Sequence, residues 1–320
     1  MSEVTDRDSL DPRVSAAAQW APLARFAVAE ARLARWAAQR PLRRLGYEFL
    51  RFGVKQAWSC LFGFLMIALL IGTHFVYPRD VFLERYDFLF LAALAIQALL
   101  IATRFESLQE AKVILLFHLV GTIMEVFKTA VGSWVYPEPA FFRIGGVPLF
   151  TGFMYAAIGS YMMRAWMIFD FRFIGHPPVW TVAALAGAIY VNFFLHHYLW
   201  DLRILLFAAT AALFARTWIY YRVHHSWRSM PLLLAALLAA IFIWSAENIG
   251  TFTRTWLYPN QLAVWSPVGP AKLGSWFLLQ IVSYALVVSV KPPRAPDAGP
   301  LELSRDRHRR RLEDHSARVS

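Results

Sequence analysis

The chain has 320 residues, 58% of them hydrophobic, with a formal net charge of +11 and a mean hydropathy of +0.44. That is too apolar for a soluble domain. The apolar residues run in continuous blocks of about 20, the length that crosses a bilayer as helix and not the alternation of a β-barrel. A single cysteine, Cys60, excludes an intrachain disulfide and a multi-cysteine metal site.

Residues 1–51 read as a cytoplasmic leader. Within it, 16–44 place Arg25, Arg32, Arg35 and Arg43 on one helical face and Trp20, Leu23, Ala27 and Ala31 on the other. That pattern suits a basic amphipathic helix on lipid headgroups or a solvated helix packed on its own bundle. The first apolar block begins after Arg51, too late and too long for a cleavable signal peptide. About eight spans follow, near residues 52–76, 86–103, 113–131, 147–167, 179–198, 203–221, 230–251 and 272–290. From residue 291 the chain is a Pro-, Arg- and Asp-rich tail with the composition of a disordered segment. The basic residues crowd into the leader and the tail. An even number of spans therefore predicts an inner-membrane protein with both termini cytoplasmic, in contact with membrane lipids and not with nucleic acid.

A stretch at 125–152, EVFKTAVGSWVYPEPAFFRIGGVPLFTG, returns at 247–274 as ENIGTFTRTWLYPNQLAVWSPVGPAKLG. An ungapped offset of 122 residues matches Glu125 with Glu247, Thr129 with Thr251, Trp134 with Trp256, Tyr136 with Tyr258, Pro137 with Pro259 and Gly152 with Gly274. The same offset pairs Trp58 with Trp180 and His74 with His196. The expected architecture is an all-α transmembrane bundle of two tandem four-helix repeats, 52–167 and 168–290. Four is even, so both repeats share one topology and a pseudo-two-fold axis along the membrane normal relates them.

Glu125 lies nine residues before Trp134, well inside the hydrocarbon by helix rise, where a carboxylate is costly unless it is paired, protonated or turned to the bundle interior. His118, Gly121, Thr122, Glu125 and Thr129 share one helix face; Trp244, Glu247, Asn248, Thr251 and Thr255 share another. Such a stripe is a buried seam or the lining of a cavity. Glu125 and Glu247 are the candidate acid/base groups. His74, His196, Thr129, Thr251, Asn248, Trp134, Tyr136, Trp256 and Tyr258 are the candidate ligand-binding residues. The aromatics also suit an interfacial belt. Lys128 and Arg164 read as snorkelling or ion-pairing residues, and Lys128 breaks the repeat by facing Gly250. Gly145-Gly146-Val147-Pro148 reads as a helix-start loop. No Walker, Rossmann, HExxH or nucleophile-elbow motif is present, so no cofactor is expected; His74 and His196 with the two glutamates could bind a divalent metal or act as acid–base partners, and the lack of a His-x-x-x-His spacing disfavours the metal.

At EVFKTAVGSWVYPEPAFFRIGGVPLF and AENIGTFTRTWLYP the chain resembles the YoaT-like family of bacterial integral membrane proteins, a family of unknown function, over about 45–291. The resemblance implies a multi-span helical protein and supplies no mechanism. A more distant resemblance is to the carotenoid-pathway hydratase-like and small lycopene-cyclase-like membrane proteins. It is carried by Glu125, Gly132 to Tyr136 and Gly146-Val147-Pro148, with Gly-Ser-Trp-Val-Tyr-Pro where that pattern has Phe-Gly-x-Tyr. Three functions stay open: a membrane-embedded acid/base enzyme acting on an isoprenoid or other lipid, a small-solute or proton-coupled carrier, and a non-catalytic membrane scaffold. The oligomeric state is not legible.

Overall fold

The computed structural model describes residues 33, 36–37, 39–78, 81–224 and 227–296. Most of the expected leader helix and the tail beyond 296 lie outside the described residues. The chain divides into residues 1–54 and 55–320. Helix α1 (Pro41–Ser59) begins in the first unit on a proline, whose missing N–H costs nothing at a helix start. Arg44 and Glu48 pair along this helix at 3.3 Å.

In the second unit, α1 ends and the chain breaks at Cys60 before α2 (Leu61–Val76). The expected first span is therefore bent rather than continuous. Then come α3 (Arg85–Ala102), α4 (Leu108–Ala130), α5 (Phe150–Ile168), α6 (Val179–Leu195), α7 (Arg203–Phe214), α8 (Leu232–Phe252) and α9 (Ala271–Val290). A capping box opens α4. The Ser107 hydroxyl accepts from the Glu110 N–H at 3.3 Å, and the Glu110 carboxylate accepts from the Ser107 N–H at 2.5 Å.

Among the described residues, four helices are long and apolar enough to cross a membrane: α3, residues 110–130 of α4, α8 and α9. The count is five if the bent pair α1–α2 is one span. That is short of the expected eight. The clearest departure is at 203–221, where α7 stops after 12 residues, or about 18 Å. The rest of that apolar block is strand. β4 (Trp218–Arg222) lies between β3 (Arg172–Ile174) and β5 (Trp227–Pro231) in an antiparallel sheet, with Phe173 opposite Ile219 and Ile219 opposite Met230. The aromatic and β-branched run Trp-Ile-Tyr-Tyr favours that pleated surface over helix. Gly175, at φ +66°, brings its backbone against the Arg216 carbonyl, where a Cβ would sit 2.2 Å away. The described residues are thus mostly helical with two small sheets, not all-α. Gly145-Gly146 is also not a simple helix-start loop. Both residues have positive φ and close a two-residue hairpin between β1 (Arg143–Ile144) and β2 (Val147–Pro148), just before α5.

The core is densest where α4 meets α5. Gly121 lies against the Tyr155 ring, Gly152 against the His118 ring and Gly159 against the Phe117 ring, each so near that a Cβ would overlap the neighbour. Small residues of this kind let two helix backbones approach closely in apolar surroundings. Phe117, Met163, Ile189, Leu278 and Ile281 extend this core through α6 and α9. Leu115, Leu119 and Ile123 line the opposite face of α4 and are exposed.

Candidate functional site

The helices α4 and α8 end in the same way at positions 122 residues apart. After α4, the Gly132 N–H bonds the Thr129 carbonyl at 3.1 Å and the Ser133 N–H bonds the Lys128 carbonyl at 2.9 Å. After α8, the Arg254 N–H bonds Thr251 and the Thr255 N–H bonds Gly250, both at 3.0 Å. Gly132 (φ 72°) and Arg254 (φ 53°) hold the left-handed position of this helix stop. Each turn sends an extended segment back over its own helix. The two segments meet in an antiparallel bridge between Val135 and Leu257, with reciprocal hydrogen bonds of 2.9 and 3.0 Å.

Extended backbone puts alternate side chains on one side. While Val135 faces Leu257 in the bridge, Trp134 and Tyr136 both turn to Glu125. The Trp134 Nε1–H donates to Oε2 at 2.8 Å, the Tyr136 hydroxyl to the same oxygen at 2.5 Å, and the Tyr155 hydroxyl of α5 to Oε1 at 2.6 Å. Glu247 is held by the Tyr258 hydroxyl on Oε1 and by the Trp276 Nε1–H of α9 on Oε2 at 2.7 Å. Both glutamates are 4% exposed. Burial first, and the adjacent carboxylate second, push the Tyr136 and Tyr258 phenols well above their ordinary range, so both remain protonated donors. The two carboxylate shells touch where Trp134 meets Tyr258, ring centroids 6.1 Å apart. Lys272 Nζ stands 4.2 Å from the Tyr258 ring centroid and 5.9 Å from that of Trp134.

The second copy departs from the first at Trp256. Its indole lies over Gly250, where a Cβ would come within 2.0 Å of the ring, and it packs beside Tyr86 and Phe150 instead of reaching Glu247. Gly250 is thus the residue that admits Trp256. Its counterpart Lys128 is buried, with Nζ 2.9 Å from Nε2 of His197. Arg164 is ion-paired, to Glu106 at 2.7 Å and Glu110 at 3.2 Å, with all three side chains buried.

The other residues singled out from the sequence are placed around this centre rather than in it. His74 Nδ1 is 3.1 Å from the Thr253 carbonyl, and His196 Nδ1 is 2.9 Å from the Asn192 carbonyl of its own helix. Asn248 donates to the Trp244 carbonyl at 2.8 Å and accepts from the Val268 N–H at 2.8 Å, which pins the loop before α9. Thr251 accepts from the Trp265 indole at 3.1 Å. The buried Thr129 hydroxyl has no hydrogen-bond partner among the described residues. Among those residues, no three His, Cys, Asp or Glu side chains converge to hold a metal ion.

Tyr155 and Trp276 were not legible as glutamate donors. They follow the repeated glycines Gly152 and Gly274 by three and two residues respectively, so the 122-residue register does not align them. Both also line a small apolar cavity between α4, α5 and α9, with Gly121, Met124, Ile158 and Val282. Its space is about 30 Å³ and its lining is apolar.

Residues 48–284 match the model of a family described as "Protein of unknown function (DUF817)". The chain belongs to the DUF817 family. A relative in Bacillus subtilis (strain 168), "Uncharacterized protein YoaT", is 43% identical over 244 residues, covering 76% of this chain and 92% of that protein. No solved structure matches. The family match agrees with the YoaT-like resemblance and does not extend to the carotenoid-pathway likeness. Every hydrogen bond to the two glutamates lies within the matched DUF817 segment.

Proposed function

We propose that this DUF817 protein is a proton-coupled carrier of a small solute in the bacterial inner membrane, built from two tandem halves of the same topology. The halves are residues 52–167, contributing α2 to α5, and 168–290, contributing α6 to α9. The observation that carries the reading is the Val135–Leu257 bridge. An antiparallel pair between positions one repeat apart is what a two-fold axis through the bridge generates. The matched helix stops of α4 and α8 support the same axis. It sets one buried carboxylate on each side of a midline between two like bundles, the arrangement parallel-repeat transporters use for coupling ions. The exposed Leu115, Leu119, Ile123, Leu234 and Leu238 suit contact with lipid acyl chains. The basic ends of the sequence favour cytoplasmic termini, which puts the bridged loops outside.

Proton binding to a buried carboxylate displaces charge even without a solute. Proteoliposomes adsorbed on a solid-supported membrane should therefore give transient currents on a pH step, lost in Glu125→Gln. Currents no larger than those of protein-free liposomes would overturn the reading.

A second reading is an acid/base enzyme acting on an isoprenoid or other lipid. It is favoured by one contact, the Lys272 ammonium on the Tyr258 ring beside Glu247. A ring face that attracts an ammonium would attract a developing carbocation in its place, beside a carboxylate able to give or take a proton. Deletion of the gene would then accumulate a lipid precursor, and an unchanged lipid profile would count against it.

A further inference from the structure

Three positions break the 122-residue register in the same sense. Lys128 stands where the second copy has Gly250, Lys272 where the first has Phe150, and His197 where the first has Phe75. The places of Gly250 and Phe150 are closed by aromatic packing, since Trp256 lies over Gly250 and beside Phe150. Lys128, His197 and Lys272 instead gather nitrogen at the loop ends of α4, α6 and α9. Lys128 Nζ is 2.9 Å from His197 Nε2. Lys272 is the strongest charge acting on Lys128 and acts on His197 as well.

The two ammonium groups lack a counter-charge in contact. Lys128 is 5% exposed, yet its hydrogen bond goes to an imidazole, and its other neighbour is the Phe193 ring, with 5.7 Å from Nζ to the centroid. Lys272 is half-buried over the rings of Tyr258 and Trp134. Neither lysine forms an ion pair among the described residues. The nearest other charges do not supply one. Arg203 and Asp201, at the start of α7, pair with each other at 2.5 Å. Glu247 attracts Lys272 without reaching it, and its two oxygens accept from Tyr258 and Trp276. A cation withdrawn from water without an anion against it is costly, and an arriving anion relieves that cost.

We propose that Lys128, Lys272 and His197 form the solute site of this protein, and that the solute is a small oxyanion, a carboxylate or a phosphate. This rests on the carrier reading above and names its class of solute. His197 is exposed, so solvent reaches the cluster there. With Nε2 accepting from the Lys128 ammonium, the His197 ring carries its own proton on Nδ1 as a further donor. Lysine ammoniums are point charges without the guanidinium fork, so they suit either oxyanion. The site also adjoins both carboxylates. Lys272 lies on Trp134, which donates to Glu125, and on Tyr258, which donates to Glu247. An anion that crosses together with a proton takes less net charge through the hydrocarbon.

The test follows the His197 imidazole by NMR in the full chain in phosphatidylcholine nanodiscs, its resonance assigned by loss in His197→Gln. Sodium chloride is replaced by sodium acetate or sodium phosphate at constant ionic strength. Lys128 and Lys272 both disfavour the imidazolium. An anion seated on them should therefore raise the His197 titration, saturably and by about one pH unit. A response to acetate alone identifies a carboxylate site, to phosphate alone a phosphate site, and to both a general oxyanion site. Lys272→Met should raise the half-saturating concentration by about tenfold. Lys272→Arg keeps the charge and should keep the response, and Lys291→Met, at the other end of α9, should leave it unchanged. No saturable response to either anion in wild type, or an unaltered response in a folded Lys272→Met protein, would overturn the proposal. So would a response to phosphatidylglycerol in the bilayer but to neither soluble anion, because the ligand would then be a lipid. Binding is read here without flux. Anion binding without pH-step currents would overturn only the carrier reading, and currents without anion binding only the class of solute.

Discussion

Trp134 and Tyr258 meet edge to face, 6.1 Å between ring centroids at 86°, while each holds a different buried glutamate. A change at one carboxylate therefore reaches the other through two rings. Trp134→Phe removes one of three donors from Glu125 and should cost about 1.5–3 kcal/mol, the range for hydrogen bonds to charged groups. Combined with Tyr258→Phe, it should depart from additivity by about 0.5–1.5 kcal/mol. Unfolding of the four proteins of this cycle in mixed micelles provides the check.

Gly250 is fixed by the indole above it. Gly250→Ala forces a methyl group into the Trp256 ring and should destabilise by about 1–3 kcal/mol, as overpacking does. Trp256→Leu in the same chain should recover part of that loss. A Gly250→Ala protein as stable as wild type would mean that the indole moves aside freely.

Arg164 pairs with both Glu106 and Glu110, and all three side chains are buried. Arg164→Met leaves two buried carboxylates facing each other and should cost about 3–5 kcal/mol. The pH dependence has a definite sign. Burial, the largest effect on Glu106, raises its carboxyl above the ordinary value, so the folded chain holds that proton more tightly than the unfolded chain. The resulting stabilisation is complete below the ordinary carboxylate range and is lost as pH rises through the raised value. Glu106→Gln should flatten this fall, measured as unfolding midpoints across about pH 4 to pH 8.

His197 sits at the loop end of α6 with its ring nitrogen on Lys128. Its imidazole is lowered from the ordinary value, first by partial burial and next by the charge of Lys128, with His196 and Lys272 adding to the effect. Lys128→Met should move it upward. NMR titration of labelled histidine would register the change, and a titration unaltered by the substitution would remove Lys128 from the explanation.

What the sequence made legible was whatever obeyed the 122-residue register. That includes Glu125 and Glu247, the two helix stops, and Tyr136 and Tyr258, which were expected to bind a ligand and are instead donors to the glutamates. Trp134 and Trp256 share that register, yet only Trp134 reaches a carboxylate. The reason, the bare Cα of Gly250, becomes visible only when the indole is seen to lie on it. Tyr155 and Trp276 escaped because helix ends slip by a residue between copies, and alignment then pairs the wrong neighbours. The block at 203–221 misled for a different reason. Hydropathy does not distinguish an apolar helix from an apolar strand, and Trp218 to Tyr221 belong to the sheet.

One set of contacts at the loop end is made entirely to main chain. His74 and Arg85 both engage the Thr253 carbonyl, and the Tyr86 hydroxyl donates to the Thr255 carbonyl at 2.8 Å. These are the residues that fasten α2 and α3 to the turn after α8. A carbonyl oxygen is supplied by any residue that preserves the turn. The turn that presents those carbonyls is itself held by side chains: the buried Thr253 hydroxyl donates to the Gly250 carbonyl and meets the Thr255 hydroxyl at 2.8 Å, so α2 and α3 are fastened to a turn that two threonines keep in shape.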